Sequence, residues 1–488
     1  MSSTADSTIA LWIDNNAVST STTIPVTQAS SGNIVHYASS ASIPEAIKAV
    51  DSSWTAFKSW RQTTHVTRRD LILRVAAYYE SHMDEFVARQ IEETSCTEAW
   101  AKQNVSSPLS PYPSSTLHTT LSVSYLKEIA AQVSSVTGVI PPTEKPNTLG
   151  FVFKEPIGPI LCIAPWNAAL ILATRGIASA IAVGCTVVFK ASELCPKTHF
   201  AITQAFVAAG IPPGVLNQIQ CDRDSASQVT ESLIAHDSIR KVEFIGSAAV
   251  GRQIMKTAAQ YLKPVILELG GKCPALVLED ANLEEAAKQC ALGAVLHHGQ
   301  ICFSTERIIV LESAAERFQE LLVQAMKGMQ GPAGSAVSSS IAAHAEDVIR
   351  DAQEKGEKVL VGGVCTTSSS SLSLQPTIIL NPKDSRIVDE ETFGPSASLY
   401  VVRNDEDAVA LANRSAYGLN ATVWTRDMSR FMKLARQLEY GQVHANSISV
   451  YTSPTGSQGG VKNSGFGRQN GKWGLEEFVV EKFVSWCG

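Results

Sequence analysis

No two of the ten cysteines form a C-x-x-C pair; they are scattered at 96, 162, 185, 195, 221, 273, 290, 302, 365 and 487. That scatter argues against a zinc ribbon or a redox dithiol, and a disulfide framework does not suit so long a chain. Cys290, His297, His298 and Cys302 could be drawn around a metal, but C-x6-H-H-x3-C matches no structural zinc spacing, so no metal is expected. An excess of basic charge is lacking as well: 40 Lys and Arg against 46 Asp and Glu leave −6. Nothing electrostatic therefore points to nucleic acid or an anionic membrane as partner. No uncharged apolar run reaches the length of a membrane span. The opening "MSSTADSTIALWIDNN" lacks the basic and apolar regions of a secretory signal, and "FVSWCG" is not a peroxisomal tripeptide. A cytoplasmic protein is expected. Internal repeats are also missing.

What is present is a large core. A chain of 488 residues, 44% of them hydrophobic, has room for about three domain-sized units. From 151 to 270, β-rich runs alternate with helical ones. "GPILCIA" is a strand, "AALILATRGIASAIAVG" a helix, "TVVFK" a strand, and "THFAITQAFVAAG" a helix closed by Gly210. "KVEFIG" and "AAVGRQIMKTAAQYL" repeat the pattern, which is that of βαβ units on a parallel sheet. A second α/β run, from about 274 to 440, has strands at "PALVLED", "RIIVL", "KVLVGG" and "ATVWT". "KFVSW" near the end reads as an edge strand pairing outside its own domain. Two polar stretches look inserted, "VSSPLSPYPSSTLHTT" at 105–120 and "TTSSSSLSLQ" at 366–375, and both should be exposed.

The usual dinucleotide fingerprint is absent. "GFGRQNG" (465–471) has the wrong third spacing and no preceding strand. A looser phosphate site is present in "KVEFIGSAAVG", where Gly246 and Ser247 stand between a strand and a helix N-terminus. Ser247 is explained equally well as an N-cap. "VILELGGK" ends an apolar strand with Glu268, which should be partly desolvated and so suited to general-base work. Cys302, in "HHGQICFSTERI", reads on its own as a small core residue or as a nucleophile.

Taken together, "ILELGGK" and "GQICFSTER" resemble the aldehyde dehydrogenase superfamily. "APWNAAL", "VVFKASE", "EETFGP", "YGLNATVWT", "GQVHAN" and "GGVKNSGFGR" continue the likeness in family order from about 150 to 470. The resemblance implies an α/β fold of two domains, a Rossmann-like cofactor domain and a catalytic domain, with a small β bridging segment. It divides the chain into a cofactor domain at 1–125 and 148–266, a catalytic domain at 267–445, and bridging segments at 126–147 and 446–488. Homodimers or homotetramers are implied, with NAD as cofactor and a small aldehyde as substrate.

Carried over residue by residue, Cys302 would attack the aldehyde as thiolate, and Asn167 with the Cys302 backbone N–H would hold the oxyanion. Hydride transfer would leave a thioester, which Glu268 would hydrolyse by activating water. Lys190 and Glu193 would hold the adenosine ribose, and Glu391 the nicotinamide ribose. Phe393 and Trp166 would lie beside the cofactor. A carboxylate at Glu193 favours NAD over NADP.

"EETSCTEAWAKQN", "APWNAALILATRG" and "KASELCPKTH" resemble the members that oxidise salicylaldehyde and related aromatic aldehydes. There Arg175, on an otherwise apolar helix, would meet a phenolic oxygen at the tunnel mouth, and Trp100 would supply an aromatic wall. The bland alternative puts Arg175 on a solvent face.

Some positions depart from the family pattern. Ile245 stands where threonine is frequent, Ala169 where proline is usual, and Gly176 and Lys472 where a lysine and a glutamate relay protons. The rival readings are a CoA-acylating variant, disfavoured by Glu268, and a catalytically silent binding or structural member of the fold.

Overall fold

The computed structural model describes residues 8–105, 121–329, 333–364 and 372–488. Residues 106–120 and 365–371, which hold most of the two expected insertions, lie outside them.

Five parallel strands form the heart of the first sheet, in the order Leu216–Ile219, Thr186–Lys190, Pro159–Ile163, Lys241–Ile245, Val265–Glu268. The chain runs outward from Pro159–Ile163 in one direction and then returns to build the other side. The order therefore reverses between Pro159–Ile163 and Lys241–Ile245, and the connections leaving those two carboxyl ends diverge. That divergence opens a crevice. Antiparallel strands close both edges: Leu11–Ile13 pairs beside Leu216–Ile219, and Gly465–Phe466 beside Val265–Glu268.

The second sheet has the order Lys358–Val361, Thr377–Leu380, Ser396–Val402, Thr305–Leu311, Cys273–Val277, Asn420–Trp424, Gln442–Ala445. It is parallel except at the Lys358–Val361 edge. Leu216–Ile219, Thr377–Leu380, Ser396–Val402 and Gln442–Ala445 are strands that the alternation of short runs did not mark. Ser396 and Ser398 are fully buried, so this strand breaks the apolar pattern where it crosses the core.

The helix Ala169–Val183 is buried along all 15 residues. Such a helix belongs to the middle of a large protein, packed on every side. Any charge it carries must find a partner in the interior.

Thr148–Pro156, grouped above with the cofactor domain, pairs along its whole length with Val479–Cys487. "KFVSW" thus forms a ribbon with a distant segment rather than joining either large sheet. Residues 126–132, placed above in a bridging segment, continue the helix Leu121–Gln132, whose Val123, Leu126 and Ile129 are buried in the same core as Ala169–Val183. Among the described residues no helix is long and apolar enough to cross a membrane.

Candidate active site

The site grows from the strand ends. The loop leaving Ile163 carries Trp166 and Asn167, and the one leaving Ile245 carries Gly246 and Ser247. Glu268 is the last residue of its own strand. Ser247 is the N-cap of Ala248–Gln260, its hydroxyl accepting from the Val250 N–H at 3.3 Å. The second sheet contributes through its amino ends: Cys302 precedes Thr305–Leu311, and Glu391 and Phe393 precede Ser396–Val402. Carboxyl ends of one sheet therefore face amino ends of the other.

The Cys302 loop is unusual in its backbone. His297, His298 and Gly299 all have positive φ, at 50°, 60° and 72°. Two histidines in that region are strained, and such strain persists only where the surroundings over-determine it. Gln300 provides the restraint. Its side chain donates to the His297 carbonyl (2.9 Å) and accepts from the Val337 N–H (2.9 Å). Its own carbonyl accepts from Asn167 Nδ2 at 2.9 Å, which commits one amide hydrogen and leaves the second for another acceptor. Beneath the loop, a Cβ at Gly271 would come within 2.3 Å of the Cys302 carbonyl oxygen, so only glycine allows this approach.

Of the nine described cysteines, seven are buried and Cys487 is exposed; Cys302 alone is half-buried. Its thiol is pushed well above the usual range, first by desolvation and then by the nearby carboxyls of Glu268 and Glu391. Both influences favour the neutral thiol. Glu268 is only 2% exposed, more deeply buried than its sequence context implied. Its Oε2 accepts from Arg175 Nη2 at 2.5 Å and its Oε1 from Gln458 Nε2 at 3.0 Å.

Arg175 is 1% exposed, which overturns the solvent-face alternative. Its partner within the protein is the candidate base, not a group at a tunnel mouth. Trp100 donates from Nε1 to the Asn167 carbonyl at 2.9 Å and stacks on His297 at 4.9 Å.

The loop carrying Glu391 and Phe393 is held by a buried pair, Lys272 and Glu306, at 2.5 Å. Lys272 also donates to the Glu390 carbonyl and Thr392 Oγ1, while Glu306 accepts from the N–H groups of Thr392 and Phe393. Glu391 in turn accepts from the Gly271 N–H at 2.8 Å. Burial, reinforced by Glu306, pushes its carboxyl up to about 8.

Three cavities follow the crevice. One, of about 470 Å³, is lined by Trp166, Asn167, Gly246, Ser247, Glu268 and Cys302 and closed by Glu391 and Phe393. A second, of about 500 Å³, is lined by Lys190 and opens from the same crevice; the exposed Arg223 lines both. Glu193 lines neither, although it and Lys190 both lie close enough to act electrostatically on Cys221. The third, of about 100 Å³, is narrow and lined by Trp100, Ile171, Arg175, Phe303 and Tyr451. Asn167, Leu172, Glu268 and Cys302 belong to both the first cavity and the third. The thiol therefore stands where a wide groove meets a narrow tunnel.

The profile of the aldehyde dehydrogenase family matches residues 12–484. The chain belongs to the aldehyde dehydrogenase family. It is 36% identical to a salicylaldehyde dehydrogenase of Pseudomonas putida over 486 residues, covering 97% of this chain and 96% of that protein. It is 37% identical to a vanillin dehydrogenase of Pseudomonas fluorescens, covering 93% and 92%. The crystal structure of a salicylaldehyde dehydrogenase from Pseudomonas putida G7, complexed with salicylaldehyde, superposes with a TM-score of 0.92 at 35% identity, covering 99% and 98%.

As an aldehyde dehydrogenase, the protein takes an aldehyde substrate and a nicotinamide cofactor, NAD or NADP. The paired grooves fit that group: a helix N-terminus at Ser247, a carboxylate at Glu391 and two aromatic rings, Trp166 and Phe393, 6.1 Å apart edge to face. Sequence reasoning missed the residues that hold this dehydrogenase's site from behind, namely Gln458, Lys272 and Glu306, and also Arg223, which lines the grooves. "GFGRQNG", rejected as a phosphate loop, contains Gln469, which hydrogen-bonds Glu243 in the interior. The departures also have places. Ile245 lines the wide groove. Lys472 is exposed, its Nζ 5.5 Å from the Trp473 ring. At Gly176 a Cβ would fall 2.0 Å from Glu243 Oε2, so a carboxylate fills the room that a side chain there would take.

Proposed function

We propose that the protein oxidises an aromatic aldehyde to the carboxylic acid, with NAD as cofactor and Cys302 as nucleophile. The carrying observation is that the wide groove and the narrow tunnel share Cys302, Glu268 and Asn167. The aldehyde would enter through the tunnel. The thiol gives up its proton to water in the groove as the sulfur adds to the carbonyl carbon. The free amide hydrogen of Asn167 and the Cys302 backbone N–H hold the oxyanion. Trp166, Gly246, Ser247, Glu391 and Phe393 hold the nicotinamide end, and Lys190 and Glu193 the adenosine end. Bound there, the nicotinamide supplies a hydride acceptor. Glu268 then removes a proton from water as its oxygen adds to the thioester, and the C–S bond breaks to release the acid.

An aromatic substrate is supported by the two relatives above and by the tunnel walls, where Trp100, Phe303 and Tyr451 suit a flat ring. Among the described residues Arg175 Nε has no partner in the interior, and a phenolic oxygen is the acceptor proposed for its guanidinium. NAD is favoured by Glu193, whose carboxylate would repel a ribose phosphate. A dimer or tetramer is supported by the ribbon, which exposes Leu149, Phe153, Phe483 and Trp486; sedimentation would measure it.

The test is a panel of salicylaldehyde, benzaldehyde and acetaldehyde, read by NADH or NADPH absorbance with and without CoA. Benzaldehydes should exceed acetaldehyde in efficiency, NAD should exceed NADP by about tenfold or more, worth about 1.4 kcal/mol, and CoA should not be required. Cys302→Ser should lose activity by several orders of magnitude, and Arg175→Ala should shrink the advantage of salicylaldehyde over benzaldehyde. A near-normal rate in Cys302→Ser would overturn the mechanism. Acetaldehyde as the better substrate would overturn only the aromatic assignment.

A further inference from the structure

Glu243 and Glu268 lie on adjacent parallel strands, in a register that pairs Glu243 with Ile266. Glu268 is two residues beyond Ile266, so both carboxylates leave the same face of the sheet. That face is covered by the buried helix carrying Arg175 and Gly176. Glu243 is 2% exposed and occupies the space beside Gly176. Two glutamines from the tail hold the two carboxylates in matching fashion: Gln458 Nε2 donates to Glu268 at 3.0 Å, and Gln469 Nε2 to Glu243 at 2.6 Å. Gln458 and Gln469 are themselves paired through their backbones. The interior thus contains one guanidinium, hydrogen-bonded to Glu268 and close enough to Glu243 to act on it electrostatically.

We propose that Glu243 is a positioning residue for the general-base step, setting through Arg175 how tightly Glu268 is held. This rests on the reading of Glu268 as the base. With both carboxylates ionised, a fully buried cluster would carry a net negative charge, which the interior penalises heavily; one retained proton removes it.

The remaining groups facing Glu243 do not supply a second cation. Cys162, on the neighbouring strand, donates its thiol at 3.3 Å. Lys241, on Glu243's own strand, is ion-paired with Glu477 at 2.7 Å. Tyr125, from the helix Leu121–Gln132, faces Arg175 as a neutral phenol. Burial pushes the Glu243 carboxyl up to about 7, with Glu268 adding to the rise and Arg175 opposing it. Below neutrality Glu243 is neutral, and Arg175 acts on Glu268 alone. Above neutrality Arg175 is shared between two carboxylates, and Glu268 is freer to reach water at the thioester. Turnover limited by thioester hydrolysis therefore rises as pH passes upward through neutrality.

The experiment uses the full chain with NAD and salicylaldehyde, and measures the first-turnover NADH burst, kcat and KM from acid to alkaline pH. Glu243→Gln keeps an acceptor for Gln469 but stays neutral. It should lose the inflection near neutrality and run about tenfold below the wild type in alkaline kcat, with burst and KM unmoved. Glu243→Asp restores a titrating carboxyl and should restore the inflection, which a merely structural role would not do. Should Glu243→Gln fail to fold, the same comparison is made with Gly176→Ala, whose Cβ displaces the Glu243 carboxylate and should shift the inflection. A Glu243→Gln or Gly176→Ala profile that overlays the wild type overturns the proposal and leaves Glu268 as base. Absence of any wild-type NADH would overturn the dehydrogenase reading and this inference with it.

Discussion

Lys272–Glu306 and Arg175–Glu268 are both buried ion pairs with 2.5 Å contacts, the four side chains being 0–2% exposed, yet their surroundings differ. The lysine ammonium has three acceptors, Glu306, the Glu390 carbonyl and Thr392 Oγ1, matching its three hydrogens. Glu306 accepts two backbone N–H groups besides. Nothing in that pair is left over, and its effect is to fix the loop bearing Glu391 and Phe393. The arginine has an Nε with no partner among the described residues, and its carboxylate partner lines two cavities beside Cys302. A buried pair with every valence met rigidifies. One with a valence in reserve can exchange partners during a reaction.

The comparison is sharpened most by Glu268→Gln. The amide oxygen still accepts from Arg175, and Glu243 remains close enough to balance the arginine's charge, so the fold should hold. Steady turnover should fall by about 10²–10⁴-fold, the usual worth of a general base, while the first burst of NADH survives. Loss of the burst together with turnover would place Glu268 in an earlier step, as base for the thiol. Next in size is Lys272→Met, which leaves Glu306 buried without its counter-charge and should cost about 3–5 kcal/mol in urea unfolding. A loss as small as that of a surface pair would erase the distinction drawn above. The smallest effect should come from Arg403→Ala. Arg403 and Asp407 form an exposed i,i+4 pair at 2.9 Å, worth about 0.3–0.5 kcal/mol and weakened by salt. That variant calibrates what a pair contributes when water already satisfies it.

The sequence showed best where chemistry and local pattern coincide. The alternating runs between 151 and 270 marked four of the five parallel strands, and the motifs around Cys302, Glu268 and Asn167 marked residues that the fold brings to one crevice. Leu216–Ile219 escaped because a four-residue strand has too little length to display a period. Glu243 also escaped, being one polar residue inside a strand, indistinguishable there from a surface charge. Its partner Gln469 lies 226 residues away, and Gln458 lies 190 residues from Glu268. No local pattern connects positions so far apart.

By itself the chain determined the reaction class. The proposed nucleophile, oxyanion donor and base, each in its motif and in order, depend on local residue types that any reader of the sequence can see. Tertiary structure decided what those residues are bonded to. Arg175 reads as a substrate contact, with a solvent-facing charge as the alternative, until the helix Ala169–Val183 is found buried on every side. Only then must the guanidinium find a carboxylate in the interior, because a buried charge cannot stand alone. Gly176 reads as a lost side chain until Glu243, from a strand that follows it far along the chain, is seen to fill its place. Burial and pairing are properties of three-dimensional neighbours, and these neighbours are assembled from segments that the sequence keeps apart.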